Sequence, residues 1–289
     1  MRRCGKYIGV LILFLICAIP TYAGCRWALV IGISNYPKQS GWAEISGAND
    51  MDIIIPRLRE YGFETEHIIT LKNELAIKEN IESAITRLCN QLNKGDIVYI
   101  HFSGHGQLIS DINGDEIDGW DEAIIPYDAH LKYEYGIYEG ENHIIDDELN
   151  EWLNEIKSHI GKIGQLIVVL DACHSGGGSR AIDDNVIIRG SSDKFILPHN
   201  RQDTNKKSTD INWVCISACK SYQNNYECKI PHMGSVGRLS YVLSRLQLGG
   251  QTVEELERLI ISEYNSLPSS YPQDPDIEYG SSLKHTKIF

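Results

Sequence analysis

Gln165-Leu-Ile-Val-Val-Leu-Asp-Ala-Cys-His-Ser-Gly-Gly177 is the stretch that decides the fold. Its first half is apolar with no polar alternation, the pattern of a strand buried on both faces of a parallel sheet. Its second half is a small-residue turn carrying Cys173. A second stretch has the same form: Asp96–Phe102 (DIVYIHF) runs into Ser103-Gly104-His105-Gly106. Outward from these two, Trp27–Ile33, Ile68–Leu71 and Trp213–Ser217 read as further short strands. Helical spacing covers about 49–61. Ile77, Ile81, Ile85, Leu88 and Leu92 recur every three or four residues, and Asp146–Ile160 opens on an acidic pair. Two more helices are expected over about 235–248 and 252–265, the second with a capping box from Thr252 to Glu255. Strand and helix alternate, so the chain is an α/β layered domain with a mostly parallel sheet. No linker divides it.

The 289 residues carry 27 Lys+Arg against 39 Asp+Glu, a net charge of −12. Such a surface repels phosphate backbones, so no nucleic-acid partner is expected, and it favours cationic ligands instead. Arg2, Arg3 and Lys6 precede the apolar run Ile8–Ile19, then Pro20 and Thr21-Tyr22-Ala23. A basic start, an apolar core and a small-residue end make residues 1–23 a secretory signal peptide. Its removal deletes three positive charges and takes the net charge to −15. The expected protein is therefore exported, periplasmic or secreted, with one domain over residues 24–289. Ala23-Gly24-Cys25 also resembles the end of a lipoprotein signal, so membrane attachment is expected only if Cys25 is lipidated. The remaining cysteines form no paired CxxC units, which argues against zinc. Cys219 and Cys228 are the first pair to check for a disulfide. Cys89 and Cys215 read as small buried apolar residues.

Open parallel sheets bind ligands beyond the carboxyl ends of their strands. His105, between two glycines, and Cys173, before a Gly-rich turn, emerge from two strands at that same edge. A thiolate is a nucleophile, and a nearby imidazole moves protons for it. The glycines let a substrate backbone approach and leave backbone N–H groups to meet a developing oxyanion.

Ser103-Gly104-His105-Gly106 and Asp171-Ala172-Cys173-His174-Ser175-Gly176 resemble the His and Cys motifs of the caspase-like cysteine peptidases, in the metacaspase branch with its bacterial relatives. Arg26–Tyr36 (RWALVIGISNY) resembles the first strand of that family. Gly47-Ala48-Asn49-Asp50 resembles its acidic motif, Asp118–Glu122 its DGxDE segment, and Ile145–Leu149 its DDEL helix start. Ser217-Ala218-Cys219 and Gln273-Asp274-Pro275 are weaker counterparts. The resemblance implies a three-layer α/β/α sandwich and a cysteine endopeptidase acting on protein or peptide substrates. His105 and Cys173 would be the catalytic dyad, with the backbone N–H groups of Gly106 and Cys173 as oxyanion donors. His174 is assigned no chemistry. Asp50, Ser103 and Asp171 would line the pocket for the residue before the cut, and carboxylates there select Arg or Lys. Asp50 is also readable as a helix N-cap.

Asp111–Glu122 packs six carboxylates into twelve residues. The missing turn glycine at Glu116 argues against an EF-hand, and a solvated acidic loop is the plain alternative. The resemblance implies a different Ca²⁺ site that uses Asp146 and Asp147, with Asp118 and Asp121 as further ligands. No cofactor is required for the chemistry, and Ca²⁺ is a candidate activator. The polar loop 177–210 holds Arg180, Arg189, Lys194, Arg201, Lys206 and Lys207, so an enzyme cutting after basic residues would find sites within itself. Two other readings stand beside this one: a catalytically inactive caspase-like binding module, and a clostripain- or gingipain-like cysteine peptidase.

Overall fold

The computed structural model describes residues 24–111, 113–114, 116–173, 186–198, 211–269 and 271–289. Residues 1–23, expected to be a signal peptide, His174 and most of the loop 177–210 lie outside these residues. In chain order the elements are β1 (Arg26–Gly32), α1 (Gly47–Glu60), β2 (Ile68–Lys72), α2 (Lys78–Cys89), β3 (Ile97–Ser103), β4 (Gly106–Ser110), β5 (Trp120–Ile124), β6 (Ile144–Ile145) and α3 (Asp146–Ile160). They continue as β7 (Gln165–Asp171), β8 (Val214–Ser217), β9 (Glu227–Ile230), β10 (Gly234–Gly237), α4 (Arg238–Arg245), α5 (Val253–Ser266) and β11 (Asp276–Tyr279).

Six strands form the central sheet in the order β11-β8-β7-β3-β1-β2. All pairings are parallel except β11 against β8. The two-residue period of a strand sends alternate side chains to opposite faces. Leu29, Ile31, Val98, Ile100, Leu166 and Val168 pack on one face with α2 and α3. Ala28, Val30, Tyr99, Ile167 and Val169 pack on the other with α1, α4 and α5. This is the three-layer α/β/α sandwich expected from the sequence. The Thr252–Glu255 capping box at the start of α5 is formed. Among the described residues, no helix is long and apolar enough to cross a membrane.

The structure departs from the sequence reading in three places. Strands β4, β5 and β6 form a separate antiparallel sheet, and Asp111–Glu122 is mostly the connection between its first two strands. The helix expected at 235–248 is shorter, because 234–237 pairs with β9 as a hairpin before α4 begins. Residues 186–198 of the polar loop are anchored. Phe195 is fully buried, donates its N–H to Leu108 O at 2.8 Å and accepts from Ser110 N–H at 2.9 Å.

Gly47, at the start of α1, lies against the ends of β1 and β3. A Cβ there would come within 2.4 Å of Ser103 O and 2.5 Å of Ile33 O. Both obstacles are backbone, so neither can rotate away. Gly47→Ala is therefore expected to destabilise the fold by about 1–3 kcal/mol through overpacking, read as a lower denaturant midpoint with unchanged slope.

Candidate active site

The register of β3 against β7 pairs Ser103 with Asp171, and β1 adds Gly32 beside Ser103. His105 and Cys173 each lie two residues beyond this row, at the carboxyl edge. Gly104 N–H still reaches Asp171 O at 3.4 Å, so the strands run together up to the turns. The same parity places Ser103 and Asp171 on the α1/α4 side of the sheet.

The His105 ring is buried and stacked on Trp42, with centroids 4.7 Å apart, and tilted against Tyr36. Its Nε2 lies 2.9 Å from Ala43 O. A carbonyl only accepts, so Nε2 carries the proton and Nδ1 keeps the lone pair. Nδ1 is buried and has no hydrogen-bond partner among the described residues. The Tyr36 hydroxyl accepts from the His105 backbone N–H at 3.0 Å and donates to Ile125 O at 2.9 Å, which fixes the turn from both sides. Burial pushes the imidazole down to a pKa of about 4. The Ala43 carbonyl works against that shift and the Arg189 charge adds to it.

Cys173 is buried, and its thiol donates to Gln223 O at 2.9 Å. Cys219 donates to the same carbonyl at 3.3 Å. Its contact with Cys173, then burial, pushes the Cys219 pKa far up, so it remains a thiol. Cys219 and Cys228 form no disulfide with each other, and Cys219 lies instead against Cys173. The Cys173 backbone N–H, expected as an oxyanion donor, is bonded to Arg189 O at 2.8 Å. Gly106, the other expected donor, faces Ile124 across β5. Ile125 N–H bonds to His105 O, so Gly106 occupies a position whose N–H the antiparallel ladder does not use.

Asp50, Ser103 and Asp171 converge, as expected, and all three are fully buried. Ser103 Oγ donates to Asp50 Oδ2 at 2.7 Å. Asp50 also accepts from Gly237 N–H, and Asp171 accepts from Asn225, Ser240 N–H and Ser240 Oγ. Asp50 lies inside the first turn of α1 and is not its N-cap, which is Ser46. Between the two acids sits the Arg189 guanidinium, fully buried. Its Nη1 is 2.5 Å from Asp50 Oδ2 and 3.3 Å from Asp171 Oδ1, and its Nε is 3.1 Å from Glu227 Oε1. Burial opposes the Arg189 charge, but the surrounding carboxylates outweigh it and raise its pKa. Burial likewise opposes ionisation of Asp171. Arg189, Asn225 and Ser240 outweigh it and hold the carboxyl below its usual range.

Tyr36, Gln223, Glu227 and Ser240 carry no role in the sequence reading. Arg189 stood there only as one basic residue among several in a loop. A second buried chain was also missed: Tyr138 Oη–His143 Nδ1 at 2.8 Å, His143 Nε2–Gln107 Oε1 at 3.0 Å, and Gln107 Nε2 to Leu131 O and Asp193 O.

Of the expected metal ligands, Asp118, Asp146 and Asp147 border one cleft of about 1130 Å³, together with Glu116 and Glu122. Asp121 is buried in β5, opposite Ile109. An all-carboxylate set suits Ca²⁺. In this arrangement no three of these acids bring ligand oxygens within 4.8 Å of one another. Among the described residues that spacing occurs only at Cys89, Glu155 and His159, on α2 and α3. Burial, followed by Glu155, pushes the Cys89 thiol up to about 11. Cys89 ends α2 at the amino edge of the sheet, away from His105.

The chain matches the family model described as metacaspase, peptidase C14 domain, over residues 26–181, more than half its length. It is 36% identical over 167 residues to Metacaspase-1B of Aspergillus fumigatus, covering 54% of this chain and 37% of that protein. It is also 36% identical over 166 residues to Metacaspase-3 of Arabidopsis thaliana, covering 55% and 42%. The match thus spans well under half the length of these curated relatives. Protein GSU0716 of Geobacter sulfurreducens, a solved structure, superposes with a TM-score of 0.63 at 22% identity, covering 92% of this chain and 98% of that one. At that identity the likeness is one of fold.

Three buried imidazoles set the acid response. Burial lowers His101 and His105 to about 4 and His143 to about 3, against roughly 6.5 in an unfolded chain. Below pH 6.5 the unfolded state binds more protons, so stability is full above that pH and falls as pH drops toward 4, by about 1.4 kcal/mol per pH unit for each histidine. Urea midpoints measured from pH 8 to pH 4.5 are expected to decline below about pH 6.5.

Proposed function

This chain belongs to the metacaspase family of C14 peptidases, and on that premise we propose that it is an exported cysteine endopeptidase that cuts after arginine or lysine. The observation that carries the specificity is the Arg189 guanidinium held by Asp50 and Asp171. The residues expected to bind a basic substrate side chain already surround one. Charge-assisted, paired hydrogen bonds make a guanidinium the preferred occupant, and an acidic side chain would meet two like charges there.

The chemistry follows from the atoms in place. Cys173 Sγ attacks the scissile carbonyl carbon and its proton passes to His105, whose Nδ1 holds the lone pair. Pinning Nε2 to Ala43 O fixes which nitrogen accepts. A pKa near 4 keeps the imidazole neutral at working pH, so the thiol and imidazole are not a preformed ion pair. The carbonyl oxygen becomes an oxyanion against the Cys173 and Gly106 N–H groups. His105 then returns the proton to the leaving amine. Water hydrolyses the thioester and frees the new carboxylate. Asp118, Asp146 and Asp147, on the wall of the acidic cleft, are the residues that would hold an activating Ca²⁺ once drawn closer together, and the ion would supply positive charge there.

Export rests on residues 1–23. Soluble release is favoured because β1 begins at Arg26, with the Cys25 N–H already bonded to Asp96 Oδ1 at 2.8 Å, leaving no tether after a lipidated Cys25.

On fluorogenic peptides, those with Arg or Lys before the cut are expected to be hydrolysed and the matched Asp peptide is not. Cys173→Ala is expected to abolish turnover. His105→Ala should lower kcat by about 10²–10⁴-fold, the range for loss of a general acid–base group. Cleavage of the Asp peptide alone would contradict the pocket assignment. In a chelator titration of the same assay, activity is expected to fall and to return with added Ca²⁺. An unchanged rate would remove Ca²⁺ from the account.

A further inference from the structure

At the opposite edge of the sheet from His105 and Cys173, α2 and α3 bring three metal-ligating side chains together. Cys89 Sγ, a carboxylate oxygen of Glu155 and a ring nitrogen of His159 all lie within 4.8 Å of one another. Glu155 and His159 stand one turn apart on α3, so they share a face. Each immediately precedes a buried isoleucine, Ile156 or Ile160, which puts the pair along the rim of the apolar face of α3. Cys89 is the last residue of α2 and is buried in the same core.

The frame under these ligands is fixed. Gly95 N–H, on the connection after α2, donates to Ile160 O at 2.9 Å, and Lys157 Nζ donates to Gly164 O at 2.6 Å. Ile85, Leu88, Ile156 and Ile160 pack in one cluster. Ligands carried on helices that are already locked together need little ordering when an ion arrives.

The place also suits a cation. Both helices end here, α2 at Cys89 and α3 at Ile160. The carbonyls of a last helical turn carry partial negative charge, and two such ends meet. The donor set narrows the choice of ion. Ca²⁺ and Mg²⁺ take oxygen ligands, whereas sulfur, nitrogen and oxygen together suit Zn²⁺. Tetrahedral Zn²⁺, with bonds of about 2.0–2.3 Å, sets its ligands about 3.3–3.8 Å apart. Glu155 and His159 are exposed, so rotation of their side chains closes the remaining gap.

We propose that Cys89, Glu155 and His159 bind Zn²⁺ and staple α2 to α3, with water as the fourth ligand. On binding, the Cys89 thiol gives its proton to solvent and its sulfur bonds the ion. The site lies at the far edge of the sheet from the catalytic residues and needs nothing from the peptidase chemistry. Its effect falls on stability.

Cys173 and Cys219 offer Zn²⁺ a second pair of thiols, so the full chain is studied with Cys173→Ala throughout and without a polyhistidine tag. Zn²⁺ is titrated against a chromophoric chelator, and Co²⁺ binding is followed by absorption. The Cys173→Ala parent is expected to bind one Zn²⁺ more than the same chain with Cys89→Ser. His159→Gln and Glu155→Gln, both at exposed positions, should each weaken that ion about tenfold or more. Co²⁺ should give a thiolate-to-metal charge-transfer band that Cys89→Ser removes. Zn²⁺ should raise the urea midpoint of the parent by more than that of His159→Gln at the same concentration.

Equal Zn²⁺ binding by the parent and the His159→Gln chain, or a charge-transfer band that survives Cys89→Ser, would overturn the proposal. Should Cys89→Ser fail to fold, the two variants at exposed positions decide the matter.

Discussion

Three carboxylates, Asp50, Asp171 and Glu227, meet at a point that water does not reach. Isolated charges in such a place are costly, so a cation must join them or they must take up protons. The chain supplies Arg189, and the surroundings follow from that need. Ser103, Ser240, Asn225 and the Gly237 N–H each donate to one of the acids, which satisfies lone pairs that a single guanidinium cannot. The pocket wall is thereby tied to β3, to β7, to the first turn of α4 and to the hairpin before it. The same ties bring Arg189 O to the Cys173 N–H. Charge neutralisation and the placement of Arg189 beside Cys173 become one constraint.

That constraint depends on the sheet beneath it. Parallel pairing of β3 with β7 has one register, Ser103 opposite Asp171, and a one-residue slip would send their side chains to the other face. The register holds because both strands are packed on both sides, so every side chain is committed to a layer. His105 and Cys173 inherit their relative position from this pairing. Tyr36 and Trp42, on the connection after β1, then hold the His105 ring, with Nε2 engaged by Ala43 O and Nδ1 without a hydrogen-bond partner among the described residues.

The parts legible in the sequence were those with a strong local signal. Unalternated apolar runs marked β1, β3, β7 and β8, and helical spacing marked α1, α2, α3 and α5. His105 between two glycines and Cys173 ahead of a glycine turn marked the carboxyl edge of the sheet as the candidate site, and the family resemblance grouped Asp50, Ser103 and Asp171. The missed parts lack such signals. Strand β4 is five residues long and begins inside the His105 motif, while β5 is hidden in a run of carboxylates. Glycines at 234 and 237 bound a hairpin strand that helical spacing absorbed. Nothing local distinguishes Glu227 from an exposed acid, because its partner is 38 residues away in sequence. Arg189 was visible only as one of six basic residues. Its burial comes from a tertiary pairing with residues 225–227.

The central claim is that Cys173 attacks a carbonyl whose basic side chain lies between Asp50 and Asp171. Alkylation by a peptidyl-arginyl chloromethyl ketone, located by peptide mapping, tests it directly. One adduct is expected, on Cys173, and none from the matched aspartyl reagent. An adduct on another cysteine, or equal labelling by both reagents, would contradict it.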